Sequence, residues 1–273
     1  MSATITQIHI ELTNKCNLNC IMCYRQEMSV TMGVMDYALF LKIADQISKI
    51  KTIEKVFLHW RGEPTCCEYL DQAVRYLCAC GIKVLLFTNG VTFTEKLAKK
   101  IIKTGIYAIF FSLESIDSKG YSTIRGSDKY HVLVKNIKNT VALRNKLHAQ
   151  TKINISTIVF DDNLSLISIF NDYWKTIVDK IEYHADTRGS KLINSQKKQC
   201  SWPNYGMFIS WDGIVSACCM DVNRIYPIGD VHNSSISDIF TSEEAKMLRK
   251  KIKMKQPIGK CRSCKLFPNS ELV

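Results

Sequence analysis

The sequence predicts an α/β protein, a partial (β/α)6 parallel barrel followed by a small α+β module. Two observations lead to this reading. Apolar, β-rich runs alternate with helical patterns through most of the chain, and the texture then changes to a polar stretch and a hairpin pattern. A third observation, 12 cysteines falling in groups, points to the chemistry.

The first strand is carried by ITQIHIEL, followed by a helix over 36–50 and the strand KVFLHW. A helix over 69–80 precedes KVLLF, one over 94–103 precedes YAIFFSL, and a long one over 130–147 precedes KINISTIVF. A helix over 164–177 then leads to KIEYH, the sixth strand. Strands joined by crossover helices pair in parallel, which assigns residues 1–187 to the barrel. Residues 188–199, containing RGSKLINSQKK, form a polar linker. The module over 200–273 opens with a hairpin, MFISWDGIVSACC, whose turn is Asp212-Gly213. Thr241 and Glu244 form a capping box for a helix whose Ala245, Leu248 and Ile252 share one face.

A chain of 273 residues with 46% apolar content can bury a full-sized core. Its start has no basic leader followed by an apolar run, and no stretch of about eighteen apolar residues could span a bilayer. The expected location is therefore cytoplasmic, where grouped cysteines serve as metal ligands or redox groups rather than disulfides. The net charge of +12 resembles a nucleic-acid signature. Many of its lysines, however, sit on predicted helices: Lys96, Lys99, Lys100 and Lys103 on one, Lys246, Lys250 and Lys253 with Arg249 on another. Solvated helix faces account for them, so neither nucleic acid nor membrane is an expected partner; an acidic substrate stays open.

Cys16, Cys20 and Cys23 form CxxxCxxC directly after the first strand. This spacing would also align three thiols on one helix face. Asn14, Asn17 and Asn19 argue for a loop instead, because asparagine competes with helical backbone bonds. Three thiolates on a short loop can hold three corners of a [4Fe-4S] cube, leaving one iron open to an exogenous ligand. Further segments follow successive strands: Arg61-Gly62-Glu63-Pro64, Thr88-Asn89-Gly90, and Ser112. All fall at carboxyl ends of parallel strands, the face where barrel enzymes build their sites.

Together these segments resemble the radical S-adenosylmethionine superfamily. The resemblance implies that Cys16, Cys20 and Cys23 bind the catalytic [4Fe-4S] cluster. It also implies that Gly62, Glu63, Pro64, Thr88, Asn89 and Ser112 receive S-adenosylmethionine, with Glu63 facing the methionyl ammonium. Met22 stands where many members carry an aromatic residue, and Arg61 replaces the first glycine of the family's GGEP.

Cys200, Cys218, Cys261 and Cys264 resemble the shortened SPASM module called Twitch, together with Trp202-Pro203, Gly213 and Ile228-Gly229-Asp230. The resemblance implies one auxiliary [4Fe-4S] cluster, making two in all. On spacing alone, a tetrahedral zinc site is equally satisfied. Cys219 competes with Cys218, but strand neighbours point to opposite faces and the glycine spacing selects Cys218. Cys66, Cys67, Cys78 and Cys80 read as buried structural thiols.

The function so implied is reductive cleavage of S-adenosylmethionine to a 5′-deoxyadenosyl radical, which abstracts a substrate hydrogen. The auxiliary cluster then assists oxidation of the substrate radical, and an external flavodoxin- or ferredoxin-type donor supplies electrons. Both dehydrogenation of a sugar- or cyclitol-type alcohol and modification of a ribosomal peptide fit. The immediate start at the first strand leaves no room for a leader-binding domain, which leans toward a small molecule. Asp221 is a candidate base, against the reading of a solvated loop aspartate. His59 reads as a satisfied core histidine. A non-catalytic iron-sulfur or zinc scaffold is the competing class.

Overall fold

The structure, a computed structural model, describes residues 3–160, 165–186 and 200–264. Its strands and helices in chain order are β1 (Gln7–Ile10), α1 (Tyr37–Lys49), β2 (Lys55–Phe57), α2 (Leu70–Ala79), β3 (Lys83–Thr88), α3 (Glu95–Ile102), β4 (Ala108–Ser112), α4 (Ser118–Arg125), α5 (Tyr130–Lys146), β5 (Lys152–Val159), α6 (Ile167–Trp174), β6 (Lys180–Ala185), β7 (Gly206–Ile209), β8 (Ile214–Ser216), β9 (Pro227–Asp230), α7 (Ile236–Phe240) and α8 (Glu243–Lys253). The protein is mixed α/β. The linker expected over 188–199 lies outside the described residues.

The described chain divides into two compact units. Residues 3–15, 24–62 and 200–264 form one, and residues 16–23, 63–160 and 165–186 the other. In the first, β1 pairs in parallel with both β2 and β7, and β7–β8–β9 continue antiparallel. Asp36 caps α1 by accepting from the Ala38 and Leu39 amides, and the helix buries Leu39, Phe40, Ile43, Ala44 and Ile47 on one stripe. His9 is sandwiched between Phe57 and Phe208, each ring centroid 4.3 Å away. The hairpin turns as expected: Gly213 takes φ +88°, a left-handed conformation that side chains resist.

In the second unit β3, β4, β5 and β6 pair in parallel in sequence order. Both faces of the central strands are buried, as continuous apolar runs such as AIFF require. On one face Phe87 stacks on Phe110 at 4.3 Å. Phe111 meets Phe93 edge-on, and α3 and α5 bury Ala98, Ile101, Ile102, Leu133 and Ile137.

Two local expectations differ from the structure. Ser242, not Thr241, caps α8: its hydroxyl accepts from Ala245, while Thr241 closes α7 and bonds back to the Ser237 carbonyl. Either hydroxyl suits the local pattern, and the preceding short helix decides between them. The buried face of Ala245, Leu248 and Ile252 is as expected. Helix α4 was not anticipated, because Tyr121 and Ile124 are its only large apolar residues and Gly120 interrupts it. Asp117 caps it by accepting from Gly120, and Gly126 ends it at φ 65°. Lys96, Lys99, Lys100 and Lys103 are exposed, as a solvated face requires. Arg249 instead turns inward and donates to the Pro203 and Phe240 carbonyls.

Candidate active site

The second unit carries the first cysteine set on the loop Cys16–Cys23. The loop is not helical, and the Cys23 amide turns back onto the Cys20 carbonyl at 3.1 Å. Leu18, Cys20 and Met22 bury together against Val91, Ile124 and Ile158, so Met22 serves as an apolar anchor. The Leu18 amide lies 3.5 Å from the Cys16 sulfur. Asn89 donates to Asn17 Oδ1 at 2.7 Å and lies 3.9 Å from the same sulfur.

Glu63 is the buried centre of the neighbouring network. Its Oε1 accepts from the Thr65 amide at 3.1 Å, the Thr65 hydroxyl at 2.8 Å and the Thr88 hydroxyl at 2.7 Å. Its Oε2 accepts from the Asn89 amide at 2.6 Å. Burial pushes the Glu63 pKa up, and these four donors oppose that shift. Glu63 also caps the 3-10 turn Pro64–Cys66, where proline needs no amide partner. A Cβ at Gly62 would stand 2.1 Å from the Thr13 carbonyl, which explains the glycine. Ser112 ends β4, half-buried and in register with Ser156.

Sequence reasoning missed Arg125 and Glu114. Arg125 Nε donates to Glu114 Oε2 at 2.6 Å, Nη2 to Oε1, and Nη1 to the Cys20 sulfur at 3.5 Å. Burial raises the Cys20 and Glu114 pKa values, with Arg125 opposing both. The Tyr121 hydroxyl, also buried here, has no hydrogen-bond partner among the described residues, and its pKa is pushed up to about 12 by burial. The usable signal was an arginine followed by a helix-ending glycine, but it gains meaning only once α4 is placed.

In the first unit, the electrostatics bring all four module cysteines together. The Cys261 thiol is pushed up to about 12 by burial first, then by Cys218, Cys264 and Cys200. Cys200 is raised by burial, with Cys218 and Cys264 adding to it. Cys218 is raised by its hydrogen bond with Cys219, then by burial, and its sulfur lies 3.4 Å from the Met220 amide. The Cys219 carbonyl accepts from Trp60 Nε1 at 2.9 Å. Among the described residues no three His, Cys, Asp or Glu side chains close around a single metal ion.

Asp221 is neither solvated nor free. It is buried, with Oδ1 accepting from the Ile225 amide at 2.8 Å and Oδ2 from the Tyr226 amide at 3.0 Å. It therefore anchors a turn. Arg61 is buried on Glu11, donates to the Val222 carbonyl at 2.6 Å and stacks 4.0 Å over Trp60. His59 is half-buried, its pKa lowered to about 4 by desolvation. Cys67 is buried, but Cys66 and Cys78 are half-buried and Cys80 is exposed at the end of α2, which corrects the expectation of four buried thiols. Among the described residues no helix is long and apolar enough to cross a membrane.

The donor set fits an iron-sulfur cluster with an organic cofactor beside it. Three sulfurs share one short loop, two of them approached by N–H groups, and an orphaned buried hydroxyl lies near Cys20 and Glu63.

Residues 10–161 match the profile described as the Radical SAM superfamily, and residues 200–265 match the iron-sulfur cluster-binding domain SPASM. The tungsten-containing aldehyde ferredoxin oxidoreductase cofactor-modifying protein of Pyrococcus furiosus is 23% identical over 86% of this chain and 81% of its own. The probable GTP 3′,8-cyclase of Pyrococcus abyssi is 30% identical, but over 55% of this chain and 47% of its own length, so the chain spans about half of that relative. The S-adenosyl-L-methionine-dependent 2-deoxy-scyllo-inosamine dehydrogenase of Niallia circulans is 24% identical over 63% of this chain and 73% of its own.

Among solved structures, BtrN in complex with AdoMet and 2-DOIA superposes with TM-score 0.63 at 20% identity, covering 98% of this chain and 94% of BtrN. Streptococcus suis SuiB bound to precursor peptide SuiA gives TM-score 0.68 at 15% identity, covering 97% of this chain and 71% of SuiB. These likenesses show a shared fold, with which the expected partial barrel is consistent. A [4Fe-4S] cluster and S-adenosylmethionine are the cofactors that go with the first matched domain, and an auxiliary iron-sulfur cluster goes with the second. Because the first match covers more than half of the chain, this protein belongs to the Radical SAM superfamily, as a modifying enzyme with a C-terminal SPASM domain.

Proposed function

We propose that this enzyme dehydrogenates a small polar alcohol of the sugar or aminocyclitol class. The observation that carries the radical chemistry is the single network joining Cys16, Asn17, Asn89, Thr88 and Glu63. Cys16, Cys20 and Cys23 would hold the cluster with one iron left open. Gly62 lets the backbone approach closely, and Glu63, flanked by Pro64 and fixed by Thr88 and Asn89, would receive the methionyl ammonium. Ser112 would contact the ribose. When bound, S-adenosylmethionine and the reduced cluster would supply an adenosyl radical able to take one hydrogen atom from a substrate C–H bond. Cys200, Cys218, Cys261 and Cys264 would hold an auxiliary cluster with no iron free for substrate, which would accept the second electron. Asp221 would support this step by holding the Ile225–Tyr226 turn beside Cys218.

The division of labour follows residues 1–187 and 200–273, joined by 188–199. We place the enzyme in the reducing cytoplasm with a flavodoxin- or ferredoxin-type donor. The match of BtrN to this chain in both lengths supports the small-molecule reading over modification of a ribosomal peptide.

Protein reconstituted anaerobically and given dithionite and S-adenosylmethionine should yield 5′-deoxyadenosine, and the Cys16, Cys20, Cys23 triple alanine variant should not. Deuterium from a deuterated aminocyclitol should appear in that product. Incorporation from a deuterated peptide and from no cyclitol or sugar would overturn the substrate assignment.

A further inference from the structure

We propose that Arg125, held by Glu114, sets the reduction potential of the cluster bound by Cys16, Cys20 and Cys23. It does so by donating a charge-assisted hydrogen bond to the Cys20 sulfur. The inference rests on the reading of those cysteines as cluster ligands.

The geometry is specific. One edge of the guanidinium, Nε and Nη2, is engaged by both oxygens of Glu114, which leaves Nη1 on the Cys20 sulfur at 3.5 Å. Arginine and carboxylate are both buried. A buried fork of this kind loses its rotational freedom, so the N–H direction is fixed before any cluster is reduced.

The end of α4 grips the loop in two further ways that do not depend on the Arg125 side chain. The Ile124 carbonyl accepts from the Ile21 amide at 3.0 Å, and a Cβ at Gly126 would sit 3.2 Å from the Asn19 carbonyl. The loop is therefore docked by backbone, and the electrical effect of Arg125 can be separated from its placement. Arg125 acts as a positioning and tuning residue.

Reduction adds one negative charge to a cluster, and an N–H aimed at a ligand sulfur stabilises the reduced form. The pair is neutral overall but oriented, with its positive member toward Cys20. Removing Arg125 deletes the donor and leaves a buried carboxyl, so the potential falls. Removing the Glu114 charge leaves Arg125 uncompensated, so the potential rises.

The test is a redox titration of the full reconstituted chain followed by electron paramagnetic resonance, without S-adenosylmethionine. The relevant signal is the one lost in the Cys16, Cys20, Cys23 triple alanine variant. Arg125→Met should shift its midpoint negative, Glu114→Gln positive, and the double variant negative by less than Arg125→Met alone. A purely structural role would not give shifts of opposite sign. Unmoved midpoints, or shifts of the same sign in the two single variants, overturn the inference. If Arg125→Met takes up no iron, the charge-neutral double variant supplies the comparison and must still lie below the wild type. Absence of the signal in the wild type would instead defeat the ligand reading.

Discussion

Arg61 and Glu11 form a fully buried bidentate ion pair just beyond the ends of β2 and β1: Arg61 Nε donates to Oε1 at 2.7 Å, Nη2 to Oε2, and the Arg61 amide also reaches Oε1 at 3.1 Å. Nη1 continues to the Val222 carbonyl, and Trp60 reaches the Cys219 carbonyl. The residue that departs from the family's double glycine thus ties the segment after Cys218 to the strand ends.

Breaking one side of that pair should be costly. Arg61→Met leaves Glu11 buried without its partner and should destabilise the protein by about 3–5 kcal/mol. Glu11→Gln with Arg61→Met should recover a large part of that loss. Urea denaturation of the three proteins checks it, and equal losses in the single and double variants would contradict the pairing.

Glu63→Gln keeps size but places an amide NH2 against donors that now face carboxylate oxygens. We expect a loss of about 1–3 kcal/mol in S-adenosylmethionine binding. Isothermal titration of the reconstituted protein measures this directly; unchanged affinity would remove Glu63 from the cofactor site.

Cys218 and Cys219 should separate cleanly by iron content. In the Cys16, Cys20, Cys23 triple alanine background about four iron atoms should remain per chain. Adding Cys218→Ala should release them, whereas Cys219→Ala should retain them. Iron and zinc analysis of the same samples also decides which metal the module holds.

Two desolvated histidines predict an acid limit. Burial, with His59 nearby, holds His9 well below its ordinary pKa, and His59 is lowered to about 4. Each is neutral in the fold but takes up a proton on unfolding below about pH 6.5. The unfolded state then binds more protons, so stability falls as pH drops from about 6.5 toward 4 and is unaffected above that window. His9→Phe, which preserves the stack on Phe57 and Phe208, should flatten this part of the profile of thermal midpoint against pH.

Gly62→Ala tests the close approach of backbones. The added methyl would meet the Thr13 carbonyl at 2.1 Å, well inside contact distance. A loss of about 1–3 kcal/mol or more is expected from such overpacking, read by the shift in thermal midpoint.

What the sequence determined by itself was set by interactions a few residues long. Asp36 and Thr94 at helix starts, the stripe on α1, the Asp212-Gly213 turn and the spacing of Cys16, Cys20 and Cys23 all carry their meaning within one local segment. Helix α4 was illegible because its stability comes from burying Tyr121 and Arg125 rather than from an apolar stripe. Only tertiary structure decided that Arg125 would meet Glu114 and Cys20, that Arg61 would find Glu11 fifty positions away, and that both Asp221 oxygens would be spent on a turn. The reason is physical. A buried charge is stable only with a partner, and which partner it finds depends on how distant segments come together.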